Sequence, residues 1–419
     1  MMRAGAPTGP VLVRGAPHRA AKRFFQGTHR AVDPAAMLER IRPVLPLAGI
    51  TRLADITGLD RLGVPVTLAF RPNSPTIVCS SGKGLTLDAA LVSGAMEAIE
   101  IHHAERVTLP VIHASHPELC RTMAVIPEAH LPLARGSLFR SDRPVDWTVG
   151  WDLCAQRETA APSQVVSFAR PPVRGLEMML FQSSTNGLAS GENLLDALCH
   201  ALFEIIERDA LACHGAVGER REYLPPRVRP ETIEHPLVLE LLARLDRAEV
   251  EVLIMDCAVD TDVPVYTVLL SDVTDRGNGI FGGHGAHLDP QVAMLRAITE
   301  AAQSRAVVIA GSRDDVSRAR HRWFRRQDSA ETRLLLRERP ALVDARVRRS
   351  EATATFEGDV HVLLARLERI GMGQVIVFDL SRPEFPLHVV KVVVPGLEGL
   401  RAPFATVGPR ARAFARSFA

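Results

Sequence analysis

Five glutamates recur at helical spacing in three separated stretches, with basic residues beside them. The stretches are SSGKGLTLDAALVSGAMEAIEIHHAE from Ser80, SSTNGLASGENLLDALCHALFEIIERDA from Ser183 and GGHGAHLDPQVAMLRAITEAAQSR from Gly282. Aligned on Ala90, Ala197 and Ala293, each has a glutamate seven residues on (Glu97, Glu204, Glu300), and three residues later Glu100, Glu207 or Gln303. Ser93, His200 and Arg296 follow the anchoring alanine by three. Helical positions i, i+4 and i+7 share a face, so each stretch predicts one polar stripe. The remaining positions are mostly Ala, Leu, Ile and Met, and helices this apolar are normally buried. A buried carboxylate is paired, protonated or bound to metal. Converging carboxylates suit a divalent cation with oxygen ligands, and Mg²⁺ takes a few carboxylates together with substrate phosphates. Lys83, Arg208 and Arg296 stand beside the acids as phosphate partners. Gly82–Gly84, Gly187–Gly191 and Gly282–Gly285 read as glycine-rich turns whose amides would face an anion at a helix start. GxxxxGK[ST] is absent, so the residues suggest a metal–nucleotide site of a non-P-loop type.

Asp88, Asp196 and Asp289 fall near the first turns of these helices, where the macrodipole favours them, and Pro290 suits a first-turn position. A second pattern also repeats. LLARLDR (241–247) and LLARLER (363–369) each precede an apolar run ending in Asp256 or Asp379, then a proline and a further β-rich run. MLERIRPVLPLAGI, TRLAD and VTLAF form a looser early copy. Each reads as helix, strand, loop, strand. The expectation is one large α/β body of duplicated helix–strand–strand units with mixed or antiparallel sheets and three Glu-bearing helices. It is flanked by a flexible basic tail over 1–30 and a C-terminal tail over 401–419, leaving 31–400 as the body. Residues 106–180 read as irregular and 313–351 as Arg-rich.

The 419 residues are 47% hydrophobic and carry 50 basic against 48 acidic side chains, enough to bury a sizeable core and too balanced for a basic nucleic-acid binder. Aromatics at 5% weigh against stacking on bases. Six scattered cysteines without CxxC fit a reducing, cytoplasmic setting and argue against structural zinc. No apolar run approaches a membrane span, and the basic N-terminus lacks the apolar core of a signal peptide. The run Arg318, Arg320, Arg322, Arg325, Arg326 with Trp323 and Phe324 reads as a solvated face or a docking surface. Cys199 and Cys213 read as core, Asp256 and Asp379 as turn formers, and His284 and His287 as flanks of the third glycine segment.

The three acid stretches together resemble the signature of the YcaO family, from about Gly49 to about Glu398. TNGLASGENLLDALCHALFEIIERDA is the most specific piece, with GKGLTLDAALVSGAMEAIE and LDPQVAMLRAITEAAQSR in the matching order. GITRLADITGLDRLGVPV and the HHAE after Glu100 resemble the branch found with TfuA-type partner proteins. The resemblance implies ATP and Mg²⁺ as cofactors, with Glu97, Glu100, Asp196, Glu204 and Glu207 on Mg²⁺. It likewise implies Lys83, Ser93, Arg208, Arg296, Glu300 and Gln303 on the nucleotide. The activity it implies is ATP-dependent O-phosphorylation of a backbone amide in a ribosomally made precursor peptide. The oxygen becomes a phosphorylated leaving group after a nucleophile adds to the carbonyl carbon, and sulfide as that nucleophile gives a thioamide, which the TfuA-like branch favours. Attack by a Cys, Ser or Thr side chain gives an azoline, and a non-catalytic nucleotide-binding accessory subunit is the third reading. A TfuA-like protein is the expected partner, and a homodimer fits as well. Two departures stand out. Ile101, followed by His102 and His103, occupies a position where many relatives carry Arg. The chain also ends RAFARSFA, without the proline-rich tail of many ring-forming members, which leaves the general base unassigned.

Overall fold

A computed structural model describes residues 9–168, 180–217, 223–273, 279–313, 340–399 and 407–418. The chain divides into two compact units of interleaved segments. Unit one comprises Met1–Arg23, Ile99–Tyr223 and Thr353–Ala419, and unit two comprises Phe24–Ala98 and Leu224–Ala352.

One module is built three times. In unit two, helix Pro34–Ile41 leads into an antiparallel meander of Arg52–Asp55, Val66–Phe70 and Cys79–Lys83, after which the first acid helix, Leu87–Ala104, begins. The second copy in that unit runs helix Pro236–Arg247, strands Val250–Asp256, Val265–Asp272 and Ile280–Ala286, then the third acid helix, Pro290–Ala310. Unit one assembles the same parts in permuted order. Helix Phe356–Arg369 and strands Ile376–Asp379 and His388–Val393 come late in the chain. The third strand, Leu188–Gly191, and the second acid helix, Leu194–Val217, come early, and Leu188–Gly191 pairs antiparallel with His388–Val393. All six strands expected from the helix–strand–strand pattern form.

Local chemistry sets the helix starts. Asp289 accepts from the Gln291 and Val292 amides with Pro290 in the first turn, and Asp33 accepts from Ala35 ahead of Pro34. Helix Pro236–Arg247 lays Val238, Leu241 and Leu245 on a core shared with Val250, Ile254, Val268, Leu270, Ala297 and Ala301. Each fully buried Val, Leu or Ile there contributes about 1.5–3 kcal/mol. Unit one's seven-stranded sheet runs from Leu188–Gly191 through His388–Val393, Ile376–Asp379, Val145–Asp152 and Arg157–Pro162 to Ala124–Val125, with Val111–Ala114 also on Val145–Asp152. Its pairings are antiparallel except the last on that path, Arg157–Pro162 with Ala124–Val125, so the sheet is mixed. The stretch 106–180, expected as irregular, thus supplies several sheet strands.

The glycine-rich segments are not turns that present amides. They are the third strands of the modules, and their glycines let each strand lie directly on its acid helix. A Cβ on Gly82 would stand 2.0 Å from the Ala90 carbonyl oxygen, one on Gly191 2.4 Å from the Ala197 nitrogen, and one on Gly283 2.1 Å from the Ala301 nitrogen. Glycine carries no alternating side-chain pattern, so such a strand has no period-two signal and reads as a loop. The tails also differ from expectation. Residues 9–30 form two short hairpins, Val11–Val13 with Ala16–His18 and Arg23–Phe25 with Thr28–Arg30, and the buried Lys22 ammonium pairs with Asp359. Three-residue strands are too short to register in sequence. Near the C-terminus, helix Pro409–Arg416 docks in unit one, where Arg410 Nε is 2.9 Å from both Asp209 carboxylate oxygens.

Candidate functional site

The acids lie on the helix faces that meet glycine strands. In unit one the second acid helix carries Glu204 and Glu207, with side chains 22% and 6% exposed. Arg208 lies along both, its Nε 3.7 Å from Glu204 Oε1 and 3.7 Å from Glu207 Oε1. Those distances are ionic and too long for hydrogen bonds. Glu100, on the last turns of the first acid helix, accepts from the Ser190 amide at 2.8 Å and from the Ser190 hydroxyl at 2.6 Å.

In unit two, Glu97 accepts from the Ser81 amide at 3.1 Å. Glu300 accepts from the His284 amide at 3.3 Å, and its other oxygen lies 2.5 Å from Lys83 Nζ. Gln303 donates its amide to Ser81 Oγ at 3.0 Å. A rule links these contacts. Glu97 and Glu300, seven residues after their alanines, bond the strand of their own module. Glu100 and Gln303, ten residues after, reach the glycine strand of another module. A helix turns about 300° over three residues, so successive stripe positions diverge enough to touch neighbouring strands.

Electrostatics distinguish these groups. Burial pushes the Glu97 carboxyl above its usual range, against the attraction of Arg313, the Ser81 amide and Lys83. Lys391 was not identified from sequence. It lies in strand His388–Val393, is 3% exposed, and donates to the Ser184 and Asn186 carbonyls at 2.6 and 2.7 Å. Burial lowers its ammonium to about 8, against the pull of Glu204. A lone cation inside LHVVKVVV was the available signal, hidden because a single lysine in a strand commonly faces solvent. Arg313, just past the third acid helix, carries no comparable signal.

The donor set fits a hard divalent cation with phosphates. Within unit one, Glu204 and Glu207 have Arg208 and Lys391 beside them, and within unit two, Glu97 and Glu300 have Lys83 and Arg313, carboxylate and cation groups that each suit a hard cation or a phosphate. Burial drives Glu97 towards protonation, a cost that a bound cation would relieve. Among the described residues, no three His, Cys, Asp or Glu side chains are gathered tightly enough to hold a metal on their own. Asp196 is 4% exposed and accepts from the Glu192 amide at 3.4 Å. It precedes Glu204 by eight residues, about 12 Å along the axis, too far to share one ion with it. Ser93 and Arg296 lie half-buried on their helices.

The remaining sequence candidates have structural places. His103 Nδ1 donates to the Ile99 carbonyl at 2.8 Å, the His103 ring packs 4.6 Å from Phe385, and Ile101 is buried. Asp379 accepts from the Ser381 amide and Asp256 from the Ala258 amide, as turn formers do, and Asp256 also pairs through its other oxygen with Arg348 at 2.6 Å. Cys199 and Cys213 are buried free thiols. The run from Arg318 to Arg326 lies outside the described residues. No helix among the described residues is long and apolar enough to cross a membrane.

Comparison with known proteins shows the family and the fold. The sequence model of a family described as YcaO cyclodehydratase, ATP- and Mg²⁺-binding, matches residues 81–398. An uncharacterized protein in the tfuA 3′ region of Rhizobium leguminosarum bv. trifolii is 34% identical over 375 residues, covering 88% of this chain and 88% of that one. The fold matches a YcaO from Methanopyrus kandleri bound with AMPPCP and Mg²⁺, at a TM-score of 0.71 and 23% identity, over 90% of this chain and 95% of that one. It also matches a heterocyclase in complex with substrate and cofactor, at a TM-score of 0.78 and 23% identity, over 92% of this chain. The match spans 54% of the heterocyclase's length.

Proposed function

The chain belongs to the YcaO family, and on that premise we propose that it phosphorylates the oxygen of a peptide backbone amide with ATP and Mg²⁺. The family is ATP- and Mg²⁺-binding. The observation that carries the reading is the pair of desolvated carboxylates, Glu204 and Glu207, with the Arg208 guanidinium along both. That placement of charge suits Mg·ATP better than it suits a bare structural core.

In this reading Glu97, Glu100, Asp196, Glu204 and Glu207 hold Mg²⁺, Asp196 on an ion apart from that of Glu204. Lys83, Ser93, Arg208, Arg296, Glu300 and Gln303 face the nucleotide. Bound Mg·ATP would supply the phosphoryl group that turns a poor amide-oxygen leaving group into a good one. The chain's own part is positioning and charge neutralisation. Arg208, 3.7 Å from Glu204 and Glu207, places a guanidinium beside the acids where a phosphate would meet it.

Thioamide formation with a TfuA-like partner is the product we favour, supported by the relative in the tfuA 3′ region. Azoline formation is the second reading, favoured by the family's description as cyclodehydratase. Mass spectrometry of a candidate peptide after incubation with ATP, Mg²⁺ and sulfide, with and without the partner, separates them. A gain of about 16 Da marks the thioamide and a loss of about 18 Da the azoline, from O→S exchange or water loss at a carbonyl. Neither change under any partner, with ATP bound but not turned over, would leave an accessory subunit as the reading.

A further inference from the structure

We propose that Lys391 is a positioning residue for Glu204 and Glu207, its ammonium locking the Ser184–Asn186 turn against which the second acid helix rests. The inference rests on the function proposed above, and its geometry lies wholly within unit one.

Lys391 is the buried cation of an otherwise apolar strand end, between Val390 and Val392. Its ammonium donates to the Ser184 and Asn186 carbonyls at 2.6 and 2.7 Å, tying two points of one turn to strand His388–Val393. Two backbone bonds complete the lock. The Leu188 amide donates to the Thr185 carbonyl at 2.8 Å, and the Val392 amide donates to the Gly187 carbonyl at 2.8 Å.

Gly187 links this turn to the acid helix. Its φ is +76°, and a Cβ there would stand 2.4 Å from the Val392 carbonyl oxygen and 2.7 Å from Ile205 Cδ1. Ile205 is the neighbour of Glu204 in sequence. The chain at Gly187 is thus wedged between strand and helix, and only glycine fits. If the turn shifts, the Ile205 contact shifts with it, and so does the helix face carrying Glu204 and Glu207. A charge-assisted bond to two carbonyls is a strong way to hold such a turn. Leaving those carbonyls without Lys391 costs their hydrogen bonds.

The test uses the full-length chain without ligand and then with Mg·ATP. Lys391→Met preserves length and apolar fit but removes the donor. Hydrogen exchange at the Leu188 and Val392 amides should quicken by about tenfold or more, local opening being what exchange reports. Amides in unit two's core strands should keep their rates. Mg·ATP affinity by calorimetry should weaken by about tenfold, the range of a displaced ligand shell. Lys391→Gln, which keeps a donor group but not the charge, should fall between and stands in if the Met variant fails to fold. Wild-type exchange at Leu188 and Val392 in the variants would overturn the proposal, as would faster exchange with unchanged Mg·ATP affinity. Failure of the unaltered chain to bind Mg·ATP would sink the function proposed above. The exchange arm would then still decide whether Lys391 locks the turn.

Discussion

The second and third acid helices descend from one pattern but are solved differently. The second carries two glutamates, one of them buried, with Arg208 lying along both at 3.7 Å. The third carries Glu300, closed by Lys83 at 2.5 Å and by the His284 amide, and puts neutral Gln303 where its counterpart has an acid. The second helix thus sets two acids against one guanidinium, and the third sets one acid against an ammonium and a backbone amide. The difference teaches that repeat symmetry places side chains, while substitutions within it change the charge each face carries.

Reversing a charge on the second helix should have the largest effect. Glu207→Lys sets a second cation beside Arg208, and calorimetry should detect no Mg·ATP binding by a protein that still unfolds cooperatively. Wild-type affinity would remove the second acid helix from the site. The packing shared by both helices comes next. Gly283→Ala forces a Cβ into the Ala301 backbone and should lower stability to urea by about 3 kcal/mol, the upper range for overpacking. Gly373→Ala, where a Cβ meets nothing within 4 Å, should be close to neutral.

Two titrations sharpen the contrast between the units. Burial raises the Glu97 carboxyl, so the folded chain holds that proton more tightly than the unfolded one. Stability should therefore fall as pH climbs from the ordinary 4.5 through the raised value. Glu97→Gln should remove that slope and stabilise the ligand-free protein by about 1 kcal/mol at neutral pH, while weakening Mg·ATP binding. Equal slopes in both proteins would refute the burial cost. Lys391 should act in the opposite sense. Its pKa is lowered from 10.5 to about 8, so stability should rise with pH across that window. Denaturant midpoints at the two ends of the window should converge in Lys391→Met. The smallest effect is expected at Gln303→Glu, which makes the third helix look like the others. The Ser81 hydroxyl can donate to the new carboxylate, but Glu300 three residues earlier on the same helix repels it, so stability should fall by about 0.5 kcal/mol at neutral pH.

Much of this was legible in the residues. The three acid helices, the alanine-to-glutamate spacings and the six apolar strands are local patterns that helical and strand periodicity exposes. Glu97, Glu204 and Glu300 could be aligned from sequence because a helix fixes its own geometry. Their partners could not be read there. The amides of Ser81 and His284, the hydroxyl of Ser190 and the ammonium of Lys83 reach the acids only through strand pairing and packing between distant segments.

Sequence by itself thus determined which residues carry charge and which helices display them, since a residue's place on a helix follows from its neighbours three and four positions away. Tertiary structure decided that the glycine segments are strands, that strand Leu188–Gly191 completes a module whose helix, Phe356–Arg369, lies far later in the chain, and that Lys391 is buried. Those outcomes depend on contacts between chain segments far apart in sequence, and a glycine or a lone lysine shows no period by which such contacts could be foreseen.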